Sequence, residues 1–385
     1  MKSKKIISIV LFLTFASTLS ITVTANFNYL KKNMDYKDLK IFSNCNTYSY
    51  QIFNYEKENA VIDVNTVEDQ LQYYKNQLFF VEIGSSEYYE YKQKIAELNK
   101  SLGLLKFEED YYNKNKYDED KKLYELTLNK KYYEYCILEQ QLEIQGANVN
   151  YVSKLAEVES VKLSKGQSTE NDKKIKDINL ELAKSEKDKV NDSIEQKRYE
   201  ILNYLNQYKY TDNFSIEPEV PSTIYYHRFN VDDIYRNFKD QNHIIQKDNK
   251  ALMLQEEFIS EITLLYGGTN DTVRLNKNNL EIDKLNYEST CEEYKYQITK
   301  LISDYENSYS QYQSYKEYNS VIDSKIDILE ISKSSGNVSD LEFLKQYYEL
   351  TKEKLEYYKA LINTDILYQQ LYLIDSGIWP IENVD

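Results

Sequence analysis

The sequence contains two similar phrases, KLSKGQSTEND from Lys162 to Asp172 and SKSSGNVSDLE from Ser332 to Glu342. They stand out because the chain of 385 residues has eight glycines, and each phrase contains one of them. In the second phrase, Gly336 can adopt the left-handed conformation that ends a helix. Ser339 and Glu342 then form the S-x-x-E pattern of a capping box, which starts another helix. This phrase therefore predicts a tight helical hairpin.

The first phrase has the same parts in the same order. Gly166 is the predicted helix stop, and Thr169 with Asp172 is the predicted capping box. Only the second phrase adds apolar residues, Val338 and Phe343, at the positions of a hydrophobic staple. The two phrases together predict two hairpins of one kind.

Long helices are expected on both sides of these hairpins, because the three prolines lie outside the long periodic segments. From about Thr272 to Ser335, positions spaced alternately three and four apart form a heptad seam, typical of coiled-coil packing. The seam consists of Cys291, Tyr294, Ile298, Leu301, Tyr305, Ser308, Tyr312, Tyr315, Asn319, Ile322, Ile326 and Leu329. A second stripe follows the second hairpin and consists of Leu344, Tyr348, Leu355, Tyr358, Ile362 and Ile366.

The whole pattern is duplicated. Each hairpin phrase follows a long predicted helix and precedes a shorter one, and each half opens with a short amphipathic segment, MDYKDLKIF at Met34 and FNVDDIYRNF at Phe229. The predicted organisation has four parts after the N-terminal segment. They are a first helical repeat at 26–210, a linker at 211–228, a second helical repeat at 229–377 and a C-terminal tail at 378–385.

The N-terminal segment, residues 1–25, has the pattern of a secretory signal peptide. Lys2, Lys4 and Lys5 precede the apolar run IISIVLFLTFA, and the stretch ends in VTA at Ala25. An uncleaved anchor is the alternative, although the unbroken apolar run is shorter than the ~20 residues that a spanning helix needs. We therefore expect export to the cell envelope or the extracellular side of the membrane.

Composition argues against several classes of function. A net charge of −15 at pH 7 should repel nucleic acid and anionic lipid. Cys45, Cys136 and Cys291 are not spaced as a zinc site and allow one disulfide at most. His227 and His243 are interpreted as surface residues, and the common nucleophile, phosphate-binding and metalloprotease motifs do not occur. The sequence thus predicts no enzyme, no cofactor and no metal site.

The chain also has 40 tyrosines, many of them on the predicted helical stripes. We interpret them as packing residues of the seam and of the surface. A stacking or cross-linking role is the alternative.

The signal peptide, the two duplicated halves with their short openers, and the G-x-x-[ST]-x-x-[DE] hairpins between long helices resemble the TolC family of outer-membrane efflux proteins. The resemblance implies a homotrimer whose hairpins, two from each chain, form a hollow α-helical barrel. It also implies partners, namely a membrane-fusion adaptor and an ATP-driven or other inner-membrane pump. In the family the hairpin ends meet the adaptor, so the implied contact residues are Gly166, Gln167, Ser168, Thr169, Gly336, Asn337, Val338 and Ser339.

The sequence departs from the family pattern at two connections. Relatives with an outer-membrane pore insert β-strands between the first and second long helices of each half, and such strands need about nine to eleven residues each. The corresponding connections here, near Gly84 and near Gly267 and Gly268, have no room for a pair of strands. The predicted fold is therefore all-α, a TolC-like α-barrel protomer of long antiparallel coiled-coil hairpins without clear β-barrel strands.

Two functions remain open from the sequence. The first is an exported TolC-like component of an envelope transport or efflux system, which forms an α-helical conduit or scaffold and docks an adaptor through the hairpin tips. The second is an exported structural coiled-coil protein of the cell wall or surface with no transport role. A docking surface at the tips would separate the two, because a structural rod needs only a turn that caps both helices there.

Overall fold

The computed structural model describes residues 33–43, 47–205, 215–221 and 223–380. The predicted signal peptide at 1–25, the residue Cys45 and the last five residues of the predicted tail lie outside these ranges. So does part of the predicted linker, residues 211–214 and residue 222.

The described residues form nine helices and two short strands. The helices are α1 Tyr36–Ser43, α2 Thr47–Leu78, α3 Ser86–Lys114, α4 Lys116–Ser164, α5 Glu170–Tyr204, α6 Val231–Gln241, α7 His243–Tyr266, α8 Asp271–Ser334 and α9 Asp340–Asp375. Strands β1 (Asn33–Met34) and β2 (Ser215–Ile216) pair in parallel. Apart from this pair the described chain is helices and turns, which confirms the all-α prediction. None of the described helices combines the length and the apolar character of a membrane-spanning segment.

The chain divides into two compact units. Unit 1 contains residues up to Thr47, Thr127–Val220 and Ser320–Tyr358, and unit 2 contains Tyr48–Leu126, Pro221–Asn319 and the chain from Lys359 onward. Each unit takes segments from both predicted repeats, because the long helices α4, α8 and α9 each contribute residues to both units. Both hairpin phrases belong to unit 1, and the α2–α3 and α7–α8 connections belong to unit 2.

Helix α8 confirms the heptad seam. Its observed bounds differ by one residue at each end from the predicted ones. Eight of the twelve seam positions are buried, and the other four, Tyr294, Tyr315, Asn319 and Ile326, are partly buried. The seam thus lies against other segments of the same chain. The second stripe, on α9, is less deeply covered, because only Ile362 of its six residues is fully buried.

The two short openers form the capped helices α1 and α6. Asp35 accepts a hydrogen bond from the backbone N–H of Asp38 at 2.8 Å, and Asn230 accepts from the N–H groups of Asp232 and Asp233 at 2.9 and 3.2 Å. A side-chain acceptor at this position satisfies the unpaired N–H groups of a first helical turn. Both openers bury apolar side chains, and in α6 these belong to a hydrophobic core of unit 2. That core contains Ile234, Phe238, Ile245, Cys291, Ile298, Leu301, Ile302, Tyr305, Leu371 and Ile374.

The described part of the predicted linker is not a loose connection. In unit 1, the hydroxyl of the buried Tyr132 donates to the carbonyl of Glu217 and accepts from the N–H of Glu219, each at 2.7 Å. The hydroxyl of Tyr135 donates to the carbonyl of Ile216 at 2.8 Å. Burial raises the pKa of both phenols, so they stay protonated and able to donate.

Unit 2 uses tyrosines in the same way. The hydroxyl of Tyr305 accepts from the backbone N–H of His227 at 3.1 Å, and that of Tyr312 accepts from the N–H of Ile224 at 3.3 Å. Tyr305 and Tyr312 are fully buried seam residues. The interpretation of the tyrosines as packing residues is therefore incomplete, since several of them also hold backbone that has no helical partner.

The two connections that were too short for strands consist of turn residues in the described structure. Residues 79–85 join α2 to α3, and residues 267–270 join α7 to α8. The prediction for these connections is confirmed. One break was not predicted, at Asn115 between α3 and α4, where φ is −121° and ψ is −39°. The corresponding segment of the second half is the unbroken α8.

Candidate functional site: the hairpin tips

Both predicted hairpin turns occur, and both use the same backbone hydrogen bonds. At the first tip, Gly166 has a φ of +70°, and its N–H donates to the carbonyl of Leu163 at 2.9 Å. The N–H of Gln167 donates to the carbonyl of Lys162 at 2.9 Å. This pair of bonds is the Schellman motif, which satisfies carbonyl groups at the end of α4.

The second tip repeats this arrangement at the end of α8. Gly336 has a φ of +76°, its N–H donates to the carbonyl of Lys333 at 3.0 Å, and the N–H of Asn337 donates to the carbonyl of Ser332 at 2.9 Å. A β-carbon on either glycine would meet nothing within 4 Å. Glycine is favoured at both positions by backbone conformation alone and not by lack of space.

The helices that leave the tips are capped as predicted, the first more completely than the second. Thr169 and Asp172 form a reciprocal capping box, with N–H to side-chain distances of 3.2 and 3.1 Å. At the second tip the Oγ of Ser339 accepts from the N–H of Glu342 at 3.2 Å. The carboxylate of Glu342 accepts from Nε2 of Gln346 at 2.6 Å. The N-cap half of the second box is thus confirmed.

Side chains next to the first tip add an acidic hydrogen-bond network. The Oγ of Ser168 donates to the carboxylate of Glu159 on α4, and this bond lowers the pKa of Glu159. The hydroxyl and N–H of Thr169 lower the pKa of Asp172 by hydrogen bonding to its carboxylate. Both carboxylates are therefore held in the charged state. The hydrogen bond from Ser168 to Glu159 was not predicted, because Ser168 lies after the turn whereas Glu159 lies about two helical turns before it.

The second tip uses an aromatic ring instead of a carboxylate network. The Nζ of Lys333 lies 4.1 Å from the centroid of the Phe343 ring, within the range of a cation–π interaction. The Phe343 ring also stacks on that of Tyr347, with centroids 5.8 Å apart. The staple between Val338 and Phe343 stays a prediction. What the sequence did not predict is the basic partner of Phe343 from the preceding helix.

The eight predicted contact residues form two equivalent sets. Gly166, Gln167 and Thr169 are exposed and Ser168 is partly buried, and the second tip has the same order of exposure, with Val338 as the partly buried residue. The exposed side chains are uncharged amides and hydroxyls. Both tips belong to unit 1, in which α4 also contacts α9 through the rings of Tyr151 and Tyr348, 6.5 Å apart. Binding of a partner by the tips stays a prediction.

The described residues offer little for metal or proton chemistry. No group of three or more His, Cys, Asp or Glu side chains within them is arranged to hold a metal ion. His227 is exposed, as predicted, whereas the surface interpretation of His243 is wrong. The imidazole of His243 lies between the rings of Phe107 and Tyr111, with centroid distances of 5.4 and 3.5 Å. Both rings belong to α3, which is far from His243 in sequence, so the local sequence pattern could not predict this contact.

Solved structures with a similar fold are membrane proteins, and several of them are outer-membrane channels. The CmeC outer membrane channel of Campylobacter jejuni superposes with a TM-score of 0.55 at 11% identity, over 85% of this chain and 84% of CmeC. The open MtrE outer membrane channel of Neisseria gonorrhoeae gives 0.54 at 12% identity, over 90% of both chains. A membrane protein from Pseudomonas aeruginosa gives 0.58 at 9% identity, over 89% and 91%. The fold is TolC-like.

This likeness is one of structure. No protein-family model and no curated protein sequence that was compared with the chain gives a match. The TolC-like fold confirms what the duplicated hairpin phrases predicted about architecture. The coverage of most of each chain means that the likeness extends over both predicted repeats and is not limited to one hairpin.

Proposed function

We propose that the protein is a non-catalytic, exported component of an envelope transport or efflux system. In this role it forms an α-helical conduit or scaffold and docks a membrane-fusion adaptor, which in turn contacts an inner-membrane pump. The observation that carries the proposal is the pair of matched hairpin tips on a TolC-like fold. Two turns with the same backbone hydrogen bonds, a hydroxyl N-cap each and the same order of exposure suit a surface that presents equivalent sites to one type of partner.

The exposed chemistry of the tips supports docking of a protein. Gln167, Thr169, Asn337 and Ser339 offer uncharged donors and acceptors, and the backbone beneath them is held by the turn itself. A rigid polar turn loses little conformational entropy when a partner binds. The hydrogen bond of Ser168 to Glu159, and the contacts of Lys333 with Asp340 and with the Phe343 ring, connect the side chains that flank the tips.

Assembly into a homotrimer is part of the same proposal. Helix α5 buries one face, yet Ile175, Ile178 and Leu182 on another face are each at least half exposed. Ile328 and Ile331 on α8 are exposed to a similar degree. Apolar stripes of this kind on long helices are suited to packing against neighbouring chains.

The test is a pair of substitutions at the second tip. Gly336→Val places a β-branched residue at a φ of +76°, with a cost on the order of 1–3 kcal/mol, and Ser339→Ala removes a cap worth about 1 kcal/mol. The double variant should keep its helical circular dichroism and lose adaptor binding and export. Binding is measured by cross-linking from photoreactive residues at positions 167 and 337, with identification of the captured protein by mass spectrometry.

Gly267→Val is the matched control, because Gly267 has a φ of +80°, equally open surroundings and a position in the α7–α8 connection. It should carry at least as much backbone strain, because a φ of +80° with a ψ of 152° lies in a region that is essentially restricted to glycine, and it should leave adaptor binding unchanged. If the tip variant binds the adaptor and supports export at the unmodified level, the tips are turns and nothing more. The protein would then be a structural coiled-coil component.

A further inference from the structure

The apolar side chains most exposed to solvent gather at one end of unit 2. Among the described residues, five large hydrophobic side chains are more than 80% exposed, and four of them, Phe79, Phe80, Ile83 and Leu264, lie in or beside the α2–α3 and α7–α8 connections. We name these four side chains the apolar end. The fifth residue is Tyr225.

The two connections lie next to each other within unit 2. The ring of Tyr89, at the start of α3, lies 6.0 Å from the ring of Tyr266, at the end of α7. The hydroxyl of Tyr266 also donates to Oε1 of Gln93 on α3 at 2.9 Å. These contacts bring the exposed residues of both connections to the same end of the unit.

A group of tyrosines lies on the helices that flank the two connections. We name it the tyrosine cluster, and it consists of Tyr73, Tyr74, Tyr88, Tyr89, Tyr91 and Tyr266. Ring contacts link these residues in two runs, from Tyr73 through Tyr74 to Tyr91 and from Tyr88 through Tyr89 to Tyr266, with centroid distances from 5.3 to 6.0 Å. Tyrosine, with an apolar ring and a polar hydroxyl, is the residue type that prefers the boundary between lipid chains and water.

Part of the backbone of the α2–α3 connection is already hydrogen-bonded. The N–H groups of Phe79, Phe80 and Ser85 donate to the carbonyls of Asn76, Gln77 and Glu82, at 3.2, 2.9 and 3.1 Å. Satisfied backbone groups reduce the cost of moving a turn out of water. The apolar side chains can therefore enter a less polar medium without unfolding the turn.

The area and the charge of the apolar end indicate which kind of surface it can contact. Four side chains of this kind offer roughly 500–600 Å² in total, below the ~800 Å² per partner of a standard protein interface. That area is too small for a stable contact with a second copy of the chain. The nearby Glu82, Glu87 and Glu90 would be repelled by anionic headgroups, whereas zwitterionic headgroups carry no such penalty.

We propose that the apolar end and the tyrosine cluster form a shallow, interfacial contact with a zwitterionic lipid surface. Phe79, Phe80, Ile83 and Leu264 enter the boundary of the acyl chains, and the tyrosine cluster lies at the level of the headgroups. This contact does not depend on adaptor docking, because it uses unit 2 and no residue of the tips.

Co-flotation of the exported protein with phosphatidylcholine vesicles tests the contact. The triple variant Phe79→Ser, Phe80→Ser, Ile83→Ser should bind at least about tenfold less, since three exposed apolar side chains are lost. The control Tyr55→Ser, Tyr225→Ser, Tyr296→Ser removes three exposed aromatic side chains elsewhere and should bind as the unmodified protein does. Circular dichroism checks that both variants remain helical.

A second measurement does not require the apolar end to be removed. Phe80→Trp should gain a blue-shifted emission on phosphatidylcholine vesicles that the native Trp379 signal does not show. Equal flotation of all variants, absence of binding to phosphatidylcholine, or binding only to vesicles with phosphatidylglycerol would overturn the proposal. So would self-association, in the absence of lipid, that only the triple variant of the apolar end abolishes, because the occupant would then be a second copy.

Discussion

Single side chains with distant partners hold together segments that have no regular structure of their own. Asn242 is buried, caps α7 by accepting from the N–H of Ile245 at 3.1 Å, and donates from Nδ2 to the carbonyl of Gly377 at 2.9 Å. Gly377 itself ends α9 with a φ of +79°. Both the oxygen and the nitrogen of this buried amide are hydrogen-bonded. The loss of either partner would therefore leave a buried polar group unsatisfied, which costs free energy.

Replacement of two glycines by alanine should change the free energy of unfolding in opposite directions. At Gly377 a β-carbon would lie 2.5 Å from Cβ of Gln241 and 2.8 Å from its backbone carbon, in a left-handed conformation. Gly377→Ala should lower the free energy of unfolding by about 2–4 kcal/mol. Gly146 lies inside α4, where an added β-carbon would have nothing within 4 Å. Gly146→Ala should therefore raise the free energy of unfolding by about 0.5–1 kcal/mol. Urea unfolding measures both, and a gain of stability at position 377 would contradict the contact described here.

His243 should make unit 2 sensitive to mild acid. Burial between Phe107 and Tyr111 lowers the pKa of the imidazole, an effect that the hydrogen bond to Glu108 at 3.0 Å partly offsets. Glu119 adds to the offset and Lys247 opposes it. Because the pKa is lower in the folded state, the unfolded chain binds the proton more readily once the pH falls below about 6.5. Stability present above that pH is therefore lost as the pH falls.

The measurement is urea unfolding at pH 7.5 and 5.5. His243→Gln should lose less stability between the two values than the unmodified protein does, and His227→Gln, at an exposed position, should behave as the unmodified protein. An equal loss in all three proteins would show that other groups cause the acid sensitivity.

Among the elements, the two hairpins share backbone geometry and differ in the side chains that support it. The first tip has a complete capping box and a bond from Ser168 to Glu159, whereas the second has an N-cap and a cation–π contact. The same turn is thus stabilised by two sets of local partners. A change at one tip should have a local effect on its own helix end.

Thr169→Ala should loosen the start of α5 without unfolding the chain. The loss of the cap costs about 1 kcal/mol, so amide hydrogen exchange in the first turn of α5 should become roughly fivefold faster. Thr66→Ala, an exposed mid-helix position of α2, makes the same chemical change and should leave exchange in α2 unchanged or slower. Unchanged exchange at residues 170–173 would mean that Ser168 alone holds the tip.

At the scale of the whole molecule, most of the heptad seam of α8 is covered by the chain itself, since eight of its twelve positions are buried and the other four are partly buried. The apolar residues left exposed lie on other faces, such as that of α5. The proposed trimer would therefore be held together by these secondary stripes and not by the seam. This distinction came from the structure, because the seam was the strongest apolar pattern in the sequence.

We expect the protein without residues 1–25 to sediment as a trimer, alone or with the proposed adaptor. Ile178→Ser with Leu182→Ser should shift the population toward the monomer, because both side chains are at least half exposed and would be buried by a neighbouring chain. Lys187→Ser, at an exposed charged position of the same helix, is the control and should not shift it. A strictly monomeric species, with and without adaptor, would contradict the trimer.

The sequence by itself determined the all-α fold, the bounds of α8 to within one residue at each end, the two hairpin turns and the short connections. Each of these depends on signals within a few residues, such as a heptad repeat, a glycine at a helix end or a capping side chain. Local physics at Gly166 or Ser339 is the same in the peptide and in the protein.

Only the tertiary structure decided which distant segments meet. Examples are the parallel pairing of β1 with β2, the bonds from Tyr132 to Glu217 and Glu219, and the aromatic surroundings of His243. The same holds for the apolar end, since local sequence does not tell whether Phe79 and Phe80 are covered by another helix. These contacts join residues that are far apart along the chain. They depend on how complete helices pack, and periodicity gives the buried face of a helix but not the partner that covers it.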